Sequence, residues 1–520
     1  MMWSYFHLRM RLLRDGEVGT LWRLAGLVPE LGEIPVSMVV VSNRVARVKA
    51  NEPISGGLAA ALLPAVKTSG AIWVGSSGRL KDSQKDSFAE IEPLGTGALA
   101  LVDMPGAHYA RFYEGFANSV LWPALHSRTD LIKSCENDYA SYREINVCMA
   151  KALLRFQRHD RAFWIHDYHY LTLALEMRKL GVDRPIGFFL HTPLPNRSIL
   201  VSIPHHRELM RALLAYDLIG FQTPQDRDNF ADYAVNELGL SVVGNAIASQ
   251  RHLTRLGAFP IGIDVEGFAK RATKAVTSPD VMRLRASLQG AKLAIGVDRV
   301  DYSKGLPNRF RAFDMMLETH PDLRRQVSFL QIGVPSRGEI DTYGNLQKEL
   351  ATLVGEVNGR HGEVDWTPIR YLTKGFSQST LAGFYRSAQI GVVTPLHDGM
   401  NLVAKEYVAA QNPFDPGVLV LSEFAGAAHQ LDAALLVNPN DIEDMSRMLH
   451  RALTMPKEER VERWQAMMTV LRASPVQSWF SDFTEALLET QDTMVSAVAA
   501  KTAPVPLVAS RGDNTAIKLH

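Results

Sequence analysis

The sequence predicts an α/β protein made of two doubly wound, Rossmann-like domains facing a central cleft. Three observations carry this expectation. From Met38 onward, short continuous apolar runs alternate with amphipathic stretches, the pattern of parallel sheets covered by helices on both faces. The runs fall into two sets, separated by a polar, less regular stretch near 264–290. Of the 520 residues, 46% are apolar and 21% charged. That suits a globular chain and excludes a wholly disordered or collagenous one.

The elements follow in order. Met38-Val39-Val40-Val41 is a β-branched run ending in Ser42-Asn43-Arg44, and reads as a first buried strand with its loop. Further strands are expected at 71–74, 98–102, 162–166, 186–190 and 217–221. The second set is 292–297, 327–333, 389–394, 417–422 and 434–438. Helical periodicity marks 306–319, 340–356, 402–411 and a long region at about 440–492. The expected domains are 38–270 and 271–470. A C-terminal helix at 471–499 should pack back on the first domain, and 500–520 should form a loose tail. Residues 1–37 read as a separate N-terminal extension, with Met38 as an alternative start.

Charge and cysteine content narrow the function. Fifty-six Lys and Arg against 55 Asp and Glu leave a net charge of +1. No broad field holds a nucleic-acid backbone or an anionic membrane, although a local basic site for a small phosphate stays open. The longest apolar stretches, such as 58–66, fall short of the ~18 residues of a membrane span. The N-terminus scatters Arg among its apolar residues, unlike a signal peptide. Cys135 and Cys148 are too far apart for a CxxC and make no disulfide framework, so a reducing cytoplasm is expected.

In open α/β sheets, ligands bind beyond the carboxyl ends of the strands. After 292–297 come Arg299 and Lys304, with Gly305 beside a helix start. Two cations and a helix N-terminus suit a diphosphate, and a solvated basic loop is the competing reading. After 389–394, Asp398-Gly399 forms a tight turn whose carboxylate can accept sugar hydroxyls, and Glu406 follows on the next helix to grip a ribose diol. A turn aspartate and an exposed helix charge would look the same. After the first strand, Arg44 is followed by Ser55-Gly56-Gly57-Leu58, where paired glycines admit a phosphate. Arg337 holds a similar place after 327–333. His166, His169 and His191 end apolar strands without the spacing of a helical zinc pair, and are expected to be packed rather than metal-bound. Asp226-Arg227-Asp228 is expected on a solvated helix face rather than on a metal.

Together VVVSNRVA, SGGLAAAL, FANSVLWPALH, WIHDYHY, GFFLHTPLP, DLIGFQT, AFPIGID, DRVDYSKGLPNRF, NGRHGEVDWTPI, TPLHDGMNLVAKEYVAAQ and VLSEFAGAA closely resemble the trehalose-6-phosphate synthase family. These are retaining glycosyltransferases of GT-B fold, and the likeness runs from about residue 38 to 485. It implies transfer of glucose from a nucleotide sugar, usually UDP-glucose, to glucose 6-phosphate. It also implies trehalose biosynthesis in the cytoplasm, osmoprotection, and no metal or other cofactor. By the same resemblance Gly56 and Gly57 meet the donor, and Arg299 and Lys304 bind its diphosphate. Phe376, Leu402, Val403, Ala404, Lys405 and Glu406 contact uracil, ribose and phosphate, with Glu406 on the ribose. His191 and Asp398 lie at the transferred glucose, which they orient. Arg44, Tyr113, Asp167 and Arg337 contact the acceptor, the two arginines holding its phosphate, and Trp122 lines its pocket. The reaction is expected on one face of the sugar, the departing phosphate oxygen taking the acceptor proton.

Three departures from the family pattern bear on acceptor choice. Ser76 replaces an aromatic residue, Asn196 follows TPLP where many relatives have IPFP and then Pro-Glu, and His397 stands where arginine is common. A sibling synthase using glycerol 3-phosphate or another nucleotide-glucose is one alternative. A non-catalytic sugar-phosphate sensor is another. Homo-oligomerisation is left open.

Overall fold

A computed structural model describes residues 37–45, 57–82, 88–249, 252–336 and 341–502. Sixteen strands in two sheets are seen among them. The first ten are β1 (Ser37–Arg44), β2 (Ile72–Lys81), β3 (Phe88–Leu94), β4 (Gly97–Pro105), β5 (Arg161–His166), β6 (Ile186–Phe189), β7 (Leu218–Phe221), β8 (Ser241–Val243), β9 (Ala246–Ala248) and β10 (Leu253–Ala258). They form one sheet in the order β3-β4-β2-β1-β5-β6-β7-β10-β9-β8. The others are β11 (Lys292–Arg299), β12 (Val327–Val334), β13 (Ile369–Leu372), β14 (Ile390–Val393), β15 (Val418–Ser422) and β16 (Leu435–Val437), ordered β13-β12-β11-β14-β15-β16.

The second sheet is parallel throughout. Its order is that of a dinucleotide-binding Rossmann sheet, with the reversal between β11 and β14. The first sheet reverses between β1 and β5. Each reversal opens a crevice at the strand carboxyl ends; candidate residues 44 and 299 end β1 and β11, and 167 and 398 follow β5 and β14.

Every expected strand is present, but five were not expected. β3, β8 and β9 lie in antiparallel pairs at the two margins of the first sheet. β8 and β9 are three residues each, too short for a periodic signal. β13 is four residues long and includes Arg370. The stretch 264–290 is not irregular. It carries helices Val265–Ala275 and Pro279–Ser287, the first capped by Asp264, whose Oδ1 accepts from Gly267 N at 2.9 Å. The region 440–492 is three helices, Ile442–Thr454, Lys457–Ala473 and Val476–Thr502. Pro456 and Pro475 stand at the two breaks, where a missing N–H and a fixed φ end helical continuity. Among the described residues no helix is long and apolar enough to cross a membrane.

The last helix lies across the first sheet. Phe483 stacks on Trp164, ring centroids 4.4 Å apart and planes 9° from parallel. The slot it fills exists because two strand positions lack a side chain. A Cβ on Gly187 or Gly220 would stand 2.8 Å or 2.7 Å from the Phe483 ring. Phe483→Ala should therefore lower the unfolding free energy by about 3–5 kcal/mol. A urea titration followed by the fluorescence of the adjacent Trp164 and Trp479 measures it.

Candidate active site

On the second sheet, β11 runs into a loop that must turn sharply to start the helix Leu306–Thr319. Asp301 is buried, and its Oδ1 accepts from Ser303 N at 3.0 Å, fixing the turn. Leu396 N donates to Ser303 O at 2.7 Å, tying this loop to the one after β14. Lys304 Nζ then reaches Asp398 Oδ2 at 2.5 Å, and Asn401 Nδ2 donates to the same oxygen at 2.9 Å. Burial alone would raise the Asp398 pKa, but the Lys304 charge and hydrogen bond bring it below the ordinary carboxylate value. Lys304 and Asp398, expected as separate contacts to diphosphate and sugar, thus form one ion pair across the crevice.

Arg299 remains exposed and makes no ion pair among the described residues. Its guanidinium carbon lies 5.8 Å from the Trp122 ring centroid. The helix Leu402–Ala410 begins beside Asp398 and offers its N-terminus to the same space. Lys405 does not. Its ammonium is buried and donates to Ile261 O and Gln430 Oε1, both at 2.6 Å, with its pKa lowered by burial to about 7. Only the main chain of Lys405 is left for a ligand. Leu402, Val403 and Phe376 are half-buried, and Ala404 is buried. Phe376 packs edge-on against Phe384 at 5.2 Å.

The acceptor candidates cluster at the first sheet. A wide helical segment, Arg111–Leu121, carries Tyr113 and leads into Trp122, whose N–H reaches back five residues to Ala117 O. Wide turns of this kind are frequent at functional sites. Arg44 lies over the Tyr113 ring at 5.5 Å, and Tyr113 stacks on His169 at 5.9 Å. Asp167 follows β5 with φ +78° and ψ 165°, a region glycine favours. Its Oδ1 accepts from His191 N at 3.4 Å. Trp122 Nε1 donates to Asp301 Oδ1 at 3.4 Å, so the acceptor wall touches the donor loop. Gly399 meets His191 so closely that a Cβ there would stand 2.0 Å from His191 O.

Gly56 and Arg337 lie outside the described residues, as do 1–36 and 503–520. Gly57 opens the helix Gly57–Ser69. Among the departures, Ser76 is buried opposite Arg44 in the strand register, with Oγ accepting from Gly78 N at 3.1 Å. Asn196 caps Arg197–Leu200. His397 Nδ1 lies 3.2 Å from Ser127 Oγ, joining the two halves.

Several residues had no individual signal. His126 ends the LWPALH run, is buried, and hydrogen-bonds Trp122 O through Nδ1 at 2.8 Å. Its pKa is lowered to about 4, chiefly by burial, with Asp301, Lys304 and Asp398 as charged neighbours. Arg309 lies within the expected helix 306–319 and Asn401 just before the expected helix 402–411. Asp226 corrects the expectation of a solvated acidic face. It is buried, accepting from Leu194 N at 2.8 Å and from Thr223 Oγ1 at 2.5 Å, and only Asp228 is exposed. Among the described residues, Asp314, Glu318 and His361 are close enough to share an ion, but Arg360 already pairs with both carboxylates.

Burial raises the Glu406 pKa to about 7, opposed by a hydrogen bond from Gln378 and the charge of Arg271. Between its ordinary 4.5 and 7, the folded chain keeps a proton the unfolded chain loses. Stability therefore falls as pH rises through this window and is level above it. Glu406→Gln should match the parent near the lower value and exceed it above pH 7 by about 3 kcal/mol. Denaturation midpoints across pH check the sign.

Residues 33–489 match the model of glycosyltransferase family 20. A trehalose-6-phosphate synthase of Sinorhizobium fredii is 44% identical over 460 residues, which is 88% of this chain and 99% of that one. The crystal structure of a UDP-forming α,α-trehalose-phosphate synthase from Burkholderia vietnamiensis aligns with TM-score 0.85 and 41% identity, covering 88% of this chain and 99% of its own. Another from Burkholderia xenovorans, in complex with glucose-6-phosphate, aligns with TM-score 0.83 and 43% identity over 87% and 100%. With two Rossmann-like domains, a shared crevice and likeness along nearly its whole described length, the chain belongs to glycosyltransferase family 20 and has the GT-B fold.

Proposed function

We propose that this glycosyltransferase is a UDP-forming α,α-trehalose-6-phosphate synthase, moving glucose from UDP-glucose to glucose 6-phosphate with retention at the anomeric carbon. The observation that carries the reading is the opposed placement of two charge systems. Arg299 and the Lys304–Asp398 pair stand at the crevice of one sheet, and Arg44, Tyr113 and Asp167 at that of the other. The family relatives, one of them with glucose-6-phosphate bound, support the substrates.

The chemistry follows from charge. As the glycosidic bond breaks, UDP gains negative charge. Arg299, Lys304 and the N-terminus at Leu402 stabilise that charge, and the scheme calls for no metal. The acceptor phosphate is a dianion, and Arg44 with Arg337 balances it. Asp398 is already held by Lys304 and Asn401, so it orients a sugar hydroxyl instead of attacking carbon. The acceptor hydroxyl then approaches on the face from which UDP departs and passes its proton to the phosphate oxygen. Closure of the domains expels water and limits donor hydrolysis.

The test is nucleotide release by the purified chain without added metal. Glucose 6-phosphate, glycerol 3-phosphate and water are crossed with UDP-, GDP- and ADP-glucose. Release with UDP-glucose and glucose 6-phosphate, giving a non-reducing phosphorylated disaccharide, is the expected result. Release only with another acceptor would move the chain to a sibling activity, and none at all would make it a sensor. Arg299→Ala should lower kcat/KM by about 10²–10³-fold. Near-normal turnover would remove Arg299 from the diphosphate site.

A further inference from the structure

A chain of hydrogen bonds behind His191 has a readable direction. Ile261 N donates to Gln222 Oε1 at 3.1 Å. That turns the Gln222 amide nitrogen toward His191 Nδ1, 3.4 Å away. An amide nitrogen only donates, so Nδ1 of His191 accepts. Burial keeps the ring neutral, its pKa lowered to about 3, and its single proton is therefore on Nε2. That nitrogen lies 3.0 Å from His166 Nδ1, which accepts in turn. His166 is fully buried and also neutral, through burial and the nearby His191.

Packing leaves the pair little freedom. The Trp164 ring lies 4.7 Å from His166, and Phe189 lies 4.7 Å from His191. Trp479, on the last helix, lies about 6 Å from both rings, at 6.1 Å and 6.0 Å. Both His191 ring nitrogens are engaged within the first domain. Its main chain meets Asp167 through N–H and Gly399 through the carbonyl. Such a ring can present a fixed edge to a sugar, but it is neither acid nor base.

We propose that His166 is a positioning residue for glucosyl transfer: it holds His191 in the Nε2–H tautomer and at one ring angle, with Gln222 setting the direction of the chain. The proposal takes from the synthase reading only the location of His191 at the transferred glucose.

Two measurements test it on the full chain. Long-range ¹H–¹⁵N spectra of histidine-labelled protein read the tautomer directly. His191 should carry its proton on Nε2, unchanged from about pH 5.5 to 8.5. A proton on Nδ1, or titration in that range, would overturn the proposal. The kinetic arm compares His166→Leu, which fills space without accepting, with His166→Asn, whose side-chain oxygen accepts near the Nδ1 position. His166→Leu should lose at least about tenfold in kcat with acceptor KM within about twofold, and His166→Asn should recover most of it. Gln222→Glu, a donor-to-acceptor change of the same shape, should move the His191 proton to Nδ1 and lower kcat similarly. A folded His166→Leu with parental kcat would refute the positioning role. If the variants fail to fold, the parent spectrum decides. If the parent shows no transfer, the synthase reading fails, while the spectrum still tests the hydrogen-bond chain.

Discussion

The donor crevice depends on one buried cation. The Arg309 side chain has no exposed surface, and its guanidinium binds Asp298 Oδ2 at 2.6 Å, Gln331 Oε1 at 2.8 Å and Thr394 Oγ1 at 3.0 Å, with Lys304 O at 3.4 Å. Those partners come from β11, β12, the end of β14 and the loop that carries Lys304. A buried charge must be paired, and breaking such a pair costs about 3–5 kcal/mol. The three strands and the loop are therefore fixed relative to one another. Lys304 meets Asp398 because Arg309 has already set where both loops begin.

This dependence explains what was legible in the sequence. The expected parallel strands were readable because each is a largely apolar run; β10 and β13 also pair in parallel, but each carries an arginine and is only partly buried. The donor loop was readable because its charges directly follow a strand. Arg309 was not, because an arginine one turn into a helix normally faces water. Lys405 is the converse: it stands among the expected donor-contact positions, while its ammonium braces Ile261 and Gln430. Gly187 and Gly220 lie inside the expected strands 186–190 and 217–221 and carry no signal of their own. Their purpose lies in Phe483, more than 250 residues further along, and no local pattern reports a contact of that range. β8, β9 and β13 were missed because three or four residues do not make a period.

Both crevices store backbone strain at corresponding places. Asp167 follows β5 with φ +78°, and Asn401 precedes the helix after β14 with φ +71°. Such conformations cost a non-glycine residue about 1–3 kcal/mol. At each place the side chain is engaged: Asp167 accepts from His191 N, and Asn401 donates to Asp398. Glycine would relieve the strain and lose the contact. Local cost and directed polar group go together on both sides of the cleft, as expected where orientation matters more than stability.

Trp122 is where the two halves meet. One edge donates to Asp301, one face lies beneath Arg299, and its ring lies 4.1 Å from His126 and 5.6 Å from Tyr168. The same indole thus borders the acceptor side and the cation proposed for the donor diphosphate. Arg299 cannot move toward a ligand without changing what covers that ring, and Trp122 cannot tilt without disturbing the Asp301 turn that sets Lys304. Ser127 with His397, and Arg128 over Tyr302, extend the seam by small polar and cation–π contacts. These contacts, with the Trp122–Asp301 hydrogen bond, tie the loops of the first sheet to those of the second at the crevice.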